Sequence, residues 1–373
     1  MLVGVPKEIK NHEYRVGLTA GSVRELIEHG HQVVVEIGAG GAIGQTDEMY
    51  HRAGAEIVET ADEVFARADM IVKVKEPQAE ERVRLREGQI LFTYLHLAPD
   101  PAQARDLVKS GCIAIAYETV TDARGQLPLL APMSTVAGRM SIQAAAHSLE
   151  KAQGGSGVLL SGVPGVPPGR VLVIGGGVVG TNAARIALGM GARVTILERS
   201  IRRINELDDL FGAALTTRYS TVEILDEELR RTDVVIGATL IPGAAAPKLV
   251  KRAQLKEMKP GSVIVDVAID QGGCTETSRA TTHANPTYTV DGVVHYCVAN
   301  MPGGVANTST FALNNATLPY VLALADKGYR QALLDDPHLR NGLNVHEGMI
   351  TYEAVAVDLE MDYRPAEELL GSA

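Results

Sequence analysis

The stretch VLVIGGGVVGTNAARIALGMGARVTILE, residues 171–198, constrains the fold more than any other part of the chain. An apolar strand runs into Gly175, Gly177 and Gly180, spaced G-x-G-x-x-G, and an Ala-rich helix follows at once. In that order the first glycine makes a tight turn, the second lets a pyrophosphate approach the backbone, and the third lets the helix pack closely on the strand. The unpaired N–H groups at the helix start then form a diphosphate site. Glu198 closes the next strand, about 20 residues on, where an acid accepts hydrogen bonds from the adenosine ribose. Its charge opposes a 2′-phosphate, so NAD is expected rather than NADP. Arg199, Arg202 and Arg203 follow it, either as a solvated helix face or as phosphate acceptors.

Strand and helix signals alternate on both sides of this motif. After Val171–Gly175, strands are predicted at Arg193–Glu198, Asp233–Ala238, Ser262–Ile269 and Val293–Ala299, with helices at Gly177–Gly189 and Ile201–Phe211. An earlier series gives strands at Leu2–Pro6, Gln32–Glu36, Met70–Lys75, Ile90–His96 and Cys112–Glu118, with helices at Gly21–His29 and Pro101–Ser110. Such alternation implies parallel sheets covered by helices on both faces. The expected fold is α/β: two doubly wound parallel-sheet domains, a Rossmann NAD domain inserted in a Rossmann-like substrate domain, joined by long helices. Residues 1–134 with 307–373 are assigned to the substrate domain and 135–306 to the NAD domain. The joining helices are Ser134–Lys151 and Thr308–Lys327; the second has Thr308 or Ser309 as its N-cap and Pro319 inside it. Gly154–Arg170 reads as a loop or hairpin, and Asn341–Ala373 as a tail packed back on the first domain.

The composition excludes several function classes. Thirty-five basic residues against 45 acidic give a net charge of −10, the wrong sign for phosphate backbones, and with no Trp and four Phe there is little to stack on bases. No apolar run is long enough to span a bilayer, and MLVGVPKEIK lacks a signal-peptide layout. Three cysteines without a C-x-x-C read as free thiols, Cys112 and Cys297 within apolar runs, so a cytoplasmic setting is expected. The remaining histidines have no metal-ligand spacing, and no metal is expected.

Ligands of open α/β sheets bind beyond the carboxyl ends of the strands. Those ends carry Lys75 after MIVKV, His96 after ILFTYL and Glu118 after IAIAY, while Arg15 lies in the loop NHEYRVGL and Asp270 ends SVIVDVAID. Arg15 and Lys75 suit a small carboxylate. His96 exchanges protons near neutral pH, and Asp270 is a second acid/base group or an ammonium holder. Glu118 reads as a supporting residue.

With these residues in hand, the chain resembles the alanine dehydrogenases over essentially its whole length. VGVPKEIKNHEYRVGLT implies Arg15 at a substrate carboxylate; KVKEP and TYLHLAPD imply Lys75 and the proton donor/acceptor His96. LLAPMS brings Ser134 to the cofactor, and GGGVVGTNAARIA a pyrophosphate loop that includes Val178 and Val179. TRYS and GATLIPG bring Ser220, Thr239 and Leu240. DVAIDQGGCTETSR spans Val267, Ala268, Ile269 and Asp270, the second catalytic group, and reaches Arg279; CVANMPG gives Val298, Ala299, Asn300 and Met301 beside the nicotinamide. Two positions depart from the family: Glu198 stands where Asp is common, and Asn307 where a basic residue is common.

The resemblance implies reversible conversion of L-alanine, NAD⁺ and water to pyruvate, ammonium and NADH, by hydride transfer from Cα with His96 and Asp270 handling protons. It also implies a homo-oligomer, typically a hexamer, with small-molecule substrates as its partners and a cleft that closes by hinge motion. The alternatives are a transhydrogenase-type nucleotide domain, which needs a membrane partner, and an NAD-binding protein without turnover.

Overall fold

Short runs of Val, Ile and Leu, punctuated by Gly, Asp and Pro, form strands here because helices cover them on both faces. The computed structural model describes residues 1–239 and 246–371. It divides into two compact units, residues 1–133 with 303–373 and residues 134–302. The first segment supplies β1 (Leu2–Val5), β2 (Gln32–Glu36), β3 (Glu56–Val58), β4 (Met70–Val72), β5 (Ile90–Thr93) and β6 (Ile113–Ala116). The second unit supplies β7 (Arg170–Ile174), β8 (Arg193–Glu198), β9 (Thr216–Tyr219), β10 (Val234–Gly237), β11 (Val263–Asp266), β12 (Thr287–Val290) and β13 (Val293–Tyr296). The returning chain adds β14 (Leu343–His346) and β15 (Met349–Ile350).

The first sheet runs β15-β14-β6-β5-β4-β1-β2-β3 and the second β12-β13-β11-β10-β7-β8-β9. Counted within the second unit, its six parallel strands lie in the order 3-2-1-4-5-6, that of a dinucleotide-binding fold. Both units are doubly wound α/β folds. Both sheets are parallel, as expected, except at one edge of each, where β14 pairs antiparallel with β6 and β15, and β12 antiparallel with β13. For the pairs β12–β13 and β14–β15 the reason is local. Asp291-Gly292 and Glu347-Gly348 are all left-handed, with φ of 48°, 80°, 49° and 71°. Two consecutive residues of that kind make a tight hairpin and reverse the chain within the sheet.

Alanines in the helix Val178–Gly189 bring it close to the sheet, Ala183, Ala184 and Ala187 packing with Val171, Val173, Ile236 and Val265. In the first unit Val34, Ile71, Leu91 and Ala114 come from four strands into one buried cluster. The helix Ala306–Lys327 begins two residues earlier than expected, directly out of the turn Met301–Val305. Thr308 and Ser309 therefore lie inside it, and Val305 stands at the cap without a side-chain bond. Pro319 is accommodated within the helix.

Candidate active site

In the first sheet β6, β5, β4 and β1 are consecutive neighbours, all parallel, so their carboxyl ends share one edge. The segments leaving that edge carry Glu118, His96, Lys75 and Arg15. The strands stop sooner than the apolar runs suggest, at Val72, Thr93 and Ala116. Carboxylates take the N–H groups that would have extended the ladder. Glu8 Oε1 accepts from the backbone of Val74 at 2.6 Å and of Lys75 at 3.3 Å. Glu118 accepts from Leu95 N at 3.2 Å and from His96 N at 2.6 Å. Glu118 itself lies in the short turn Tyr117–Thr119.

His96 is left-handed, with φ of 48°. Its side chain is 42% exposed and its Nδ1 lies 3.7 Å from Glu118 Oε1. The imidazole stacks at 5.8 Å on Tyr94, whose hydroxyl donates to Leu129 O at 2.6 Å. The ring is thus supported from one side while its edge meets solvent.

The two cations differ. Lys75 is half-buried, and among the described residues no carboxylate oxygen lies within 4.0 Å of its ammonium. Burial pushes the Glu76 carboxyl up, but the charges of Lys75 and Lys10 outweigh this and hold it below the usual range. Arg15 is 2% exposed; its Nε and Nη2 donate to the two oxygens of Glu13 at 2.7 and 2.6 Å, and Nη1 meets Met133 Sδ at 3.0 Å. Burial works against its charge, yet Glu13 more than restores it, so its pKa stands above the ordinary value.

Sequence reasoning missed Lys73. It is fully buried between Glu8 Oε2 at 3.0 Å and Glu81 Oε1 at 2.7 Å. Burial opposes its charge and the two carboxylates restore it, while Glu8 is raised chiefly by its own burial. This ion triplet fixes the backbone that presents Lys75, since Glu8 bonds Lys73 with one oxygen and the Val74–Lys75 backbone with the other. Two lysines in KVKEP were the available signal; of the partners, Glu81 lies eight residues on and Glu8 far off in sequence.

In the second unit the carboxyl ends of β7, β8, β9, β10, β11 and β13 share one edge, and the expected cofactor residues other than Ser134 lie at or after them. Gly175 has φ of 101°, and a Cβ there would come within 2.8 Å of Ala238 O. A Cβ on Gly180 would overlap the carbonyl oxygen of Gly175, whereas one on Gly177 would meet nothing within 4 Å. Gly177 is the cap of the helix that Val178 and Val179 begin, and Val178 is exposed. Open ground over a helix N-terminus beside a sterically forced turn fits a diphosphate.

Glu198 Oε2 accepts from Gly176 N at 2.8 Å, and Oε1 from Arg199 N at 2.7 Å and Ser200 N at 3.0 Å. Ser220 N bonds Glu198 O at 3.0 Å. Arg203 reaches back to the glycine turn: Nε to Gly176 O at 2.7 Å, Nη2 to Thr181 Oγ1 at 2.8 Å and Nη1 to Glu206 at 2.7 Å. The Thr239 side chain hydrogen-bonds the buried Cys274 thiol, and Leu240 lies outside the described residues.

Asp270 is not a strand-end residue. β11 stops at Asp266, and Val267, Ala268, Ile269 and Asp270 form a 3-10 turn with Asp270 exposed. Val298 and Met301 are buried, Ala299 and Asn300 half-buried, and Asn300 has φ of 64° with its carbonyl 3.1 Å from His283 Nε2. Arg279 lies 4.0 Å over the Tyr288 ring. Ser134 is half-buried in the helix Ala131–Ser148. Among the described residues no cluster of His, Cys, Asp and Glu is arranged to hold a metal, and no helix is long and apolar enough to cross a membrane. All three cysteines are buried and free.

Two family models cover most of the chain: Alanine dehydrogenase/PNT, N-terminal domain over residues 4–137, and Alanine dehydrogenase/PNT, C-terminal domain over residues 141–353. The chain is 61% identical over 371 residues to the alanine dehydrogenase of Halomonas elongata, covering 100% of both chains. It is 57% identical to that of Methanococcus maripaludis, covering 99% and 100%. Among solved structures it resembles an L-alanine dehydrogenase, with a TM-score of 0.93, 50% identity and 96% and 99% of the two chains covered. It also resembles a transhydrogenase from Sinorhizobium meliloti, with a TM-score of 0.80 and 26% identity, covering 95% and 100%. The chain is an enzyme of the alanine dehydrogenase/PNT family.

Proposed function

We propose that this enzyme catalyses the reversible, NAD-dependent oxidative deamination of L-alanine to pyruvate and ammonium. The observation that carries the reading is the edge shared by β6, β5, β4 and β1, from which two cations, a proton-exchanging imidazole and its supporting carboxylate emerge together. A small substrate with a carboxylate and an amine needs those groups and little else.

Arg15 and Lys75 would hold the carboxylate. Arg15 is already oriented by Glu13, and Lys75 brings an ammonium with no carboxylate oxygen of the described residues within 4.0 Å. Amine and carbonyl chemistry at Cα requires protons to leave nitrogen, leave an attacking water and return to departing ammonia. His96 and Asp270, both exposed to solvent, suit these transfers. Tyr94 excludes water from one face of the imidazole.

NAD, when bound, supplies the hydride acceptor. The turn of Gly175, Gly177 and Gly180 with Val178 and Val179 would hold its diphosphate, and Glu198, with Ser220 beside it, the adenosine ribose. Arg203 would brace that turn. Ser134, Thr239, Leu240, Val267 to Asp270, Arg279 and Val298 to Met301 would line the rest. We assign the enzyme to the cytoplasm as a homo-oligomer, a hexamer by the habit of the family.

The test is reduction of NAD⁺, followed by the absorbance of the reduced nicotinamide, across a panel of amino acids. Alanine should be the best substrate. No reduction with any of them, despite tight NADH binding, would leave a non-catalytic binding protein; exchange of hydride between NADH and NADP would favour the transhydrogenase reading.

A further inference from the structure

β11 ends in an acid to which none of these roles falls. Asp266 is fully buried. Its Oδ2 accepts three hydrogen bonds, from Cys274 N at 2.9 Å, Thr275 N at 3.2 Å and Ser278 Oγ at 2.5 Å. Between Asp266 and these donors the chain makes the turn that carries Asp270 and then passes through Gly272 and Gly273, with φ of 87° and 79°. One carboxylate oxygen therefore ties the far end of this excursion to its root.

Two further observations bear on it. The buried thiol of Cys274 also hydrogen-bonds the carboxylate, and burial together with that neighbouring charge pushes the thiol's pKa well up. Gly237 on the neighbouring strand lines the same spot: a Cβ there would lie 2.9 Å from Oδ1 and overlap Cys274 Sγ. Packing thus holds the carboxylate against the loop. The loop is also gripped from beneath, because Tyr288 Oη donates to Thr277 O at 2.8 Å and accepts from Arg279 N at 2.8 Å. A neutral acceptor could make the same bonds at lower cost; a charged one makes them shorter and stiffer.

The geometry points to Asp266 as a positioning residue that fixes the segment 267–279 and thereby the placement of Asp270 and Arg279. The inference rests on the assignment of Asp270 as a proton-transfer group. Asp270 stands at an exposed turn held beside it by Ala246 N on Gln271 O at 2.9 Å and Gly273 N on Ala268 O at 3.0 Å, and Asp266 anchors the far end of the same segment. A displacement near 1 Å costs a rate factor on the order of 100.

The test uses full-length Asp266→Asn, Ser278→Ala and Asp270→Asn enzymes. Asp266→Asn should lower kcat on the order of 100-fold with KM for alanine little changed, and should shift the limb of the kcat–pH profile that Asp270→Asn removes. Its amides at 267–279 should exchange faster, with those of β7 and β8 unchanged. Ser278→Ala breaks one of the three bonds and should move each readout the same way by less; it decides the matter if Asp266→Asn does not fold. Wild-type turnover in Asp270→Asn would overturn the underlying assignment. An inactive Asp270→Asn alongside a wild-type kcat and pH limb in Asp266→Asn, or in Ser278→Ala where that variant must serve, would overturn the positioning role alone.

Discussion

The backbone N–H of His96 donates to Glu118 Oε1 at 2.6 Å, between segments leaving adjacent parallel strands. His96 is left-handed, which costs a non-glycine residue roughly 1–3 kcal/mol. A hydrogen bond to a charged acceptor contributes about 1.5–3 kcal/mol, enough to offset that strain. The same carboxylate also binds Leu95 N, so it holds the turn on both sides of the peptide that aims the imidazole. Glu118 is thereby more than a neighbour of the ring.

His96→Ala should abolish turnover and leave NADH binding nearly intact. Glu118→Ala keeps the imidazole but frees its backbone, and should lower kcat on the order of 100-fold. Fluorescence titration of NADH beside steady-state rates separates binding from chemistry. A large loss of NADH affinity with normal turnover in either variant would overturn the assignment.

Lys75→Ala should lower kcat/KM for alanine and for pyruvate by a factor of about 30 to several thousand, from the roughly 2–5 kcal/mol that follows loss of one partner of a hydrogen-bonded charge pair. Stability should fall modestly, because Lys75 is the chief charge that keeps the Glu76 carboxyl low against its burial. Arg15 is different. Glu13 would be left buried without its guanidinium, so Arg15→Ala should also destabilise the fold by about 3–5 kcal/mol. Arg15→Lys should lose activity too, since an ammonium cannot reproduce the planar fork. Thermal midpoints measured with the kinetics distinguish the two cations; near-wild-type kcat/KM in Lys75→Ala would move the carboxylate site elsewhere.

The sheet edges were legible because apolar runs, Gly-rich turns and strand-end charges are local signals. Arg193–Glu198, Pro101–Ser110 and Ile201–Phe211 were read to the residue. What failed was decided by partners distant in sequence. Nothing near Val74 announces that Glu8 will stop its strand, nor that Lys73 rather than Lys75 will be swallowed between two acids. SVIVDVAID reads as one long strand, yet Asp266 turns the chain because its carboxylate finds Cys274, Thr275 and Ser278. The hairpin at Asp291-Gly292 was a local signal overlooked: an Asp-Gly pair between two β-branched runs is a strong hairpin mark.

His295 and His346 are both depressed below 6.5, chiefly by burial. A histidine lowered in the fold contributes stability that is complete above its unfolded value, near 6.5, and is lost as pH falls toward its folded value. Each can cost at most about 1.4 kcal/mol per pH unit in that window. Thermal midpoints should therefore drop on acidification below pH 6.5. His295→Gln keeps a partner for Thr277 but does not titrate, so its deficit against wild type should shrink as pH falls. A deficit that stays constant from pH 8 to 5.5 would mean that His295 carries no such term.

Cofactor choice is expected to rest on Glu198, whose two oxygens are set by the backbone N–H groups of Gly176, Arg199 and Ser200. An anion so fixed cannot swing away from a 2′-phosphate, and like charges brought together cost several kcal/mol. Glu198→Gln removes the charge and keeps one acceptor oxygen, turning an NH2 toward the N–H of Gly176 or those of Arg199 and Ser200. Glu198→Ser removes both acceptors and should weaken NAD further. Both should raise kcat/KM for NADP relative to NAD, on the order of 100-fold. Help from the arginines will not come equally. Arg203 has its three guanidinium nitrogens engaged by Gly176, Thr181 and Glu206, so Arg203→Ala should weaken NAD and NADP alike by loosening the glycine turn. Arg199 is exposed, and among the described residues no carboxylate oxygen lies within 4.0 Å of its guanidinium. It is the cation able to meet a 2′-phosphate, and Arg199→Ala added to Glu198→Gln should take back much of the gained NADP activity. Rates for each variant with both cofactors decide the point, and a wild-type enzyme that already uses NADP as efficiently as NAD would end the electrostatic account.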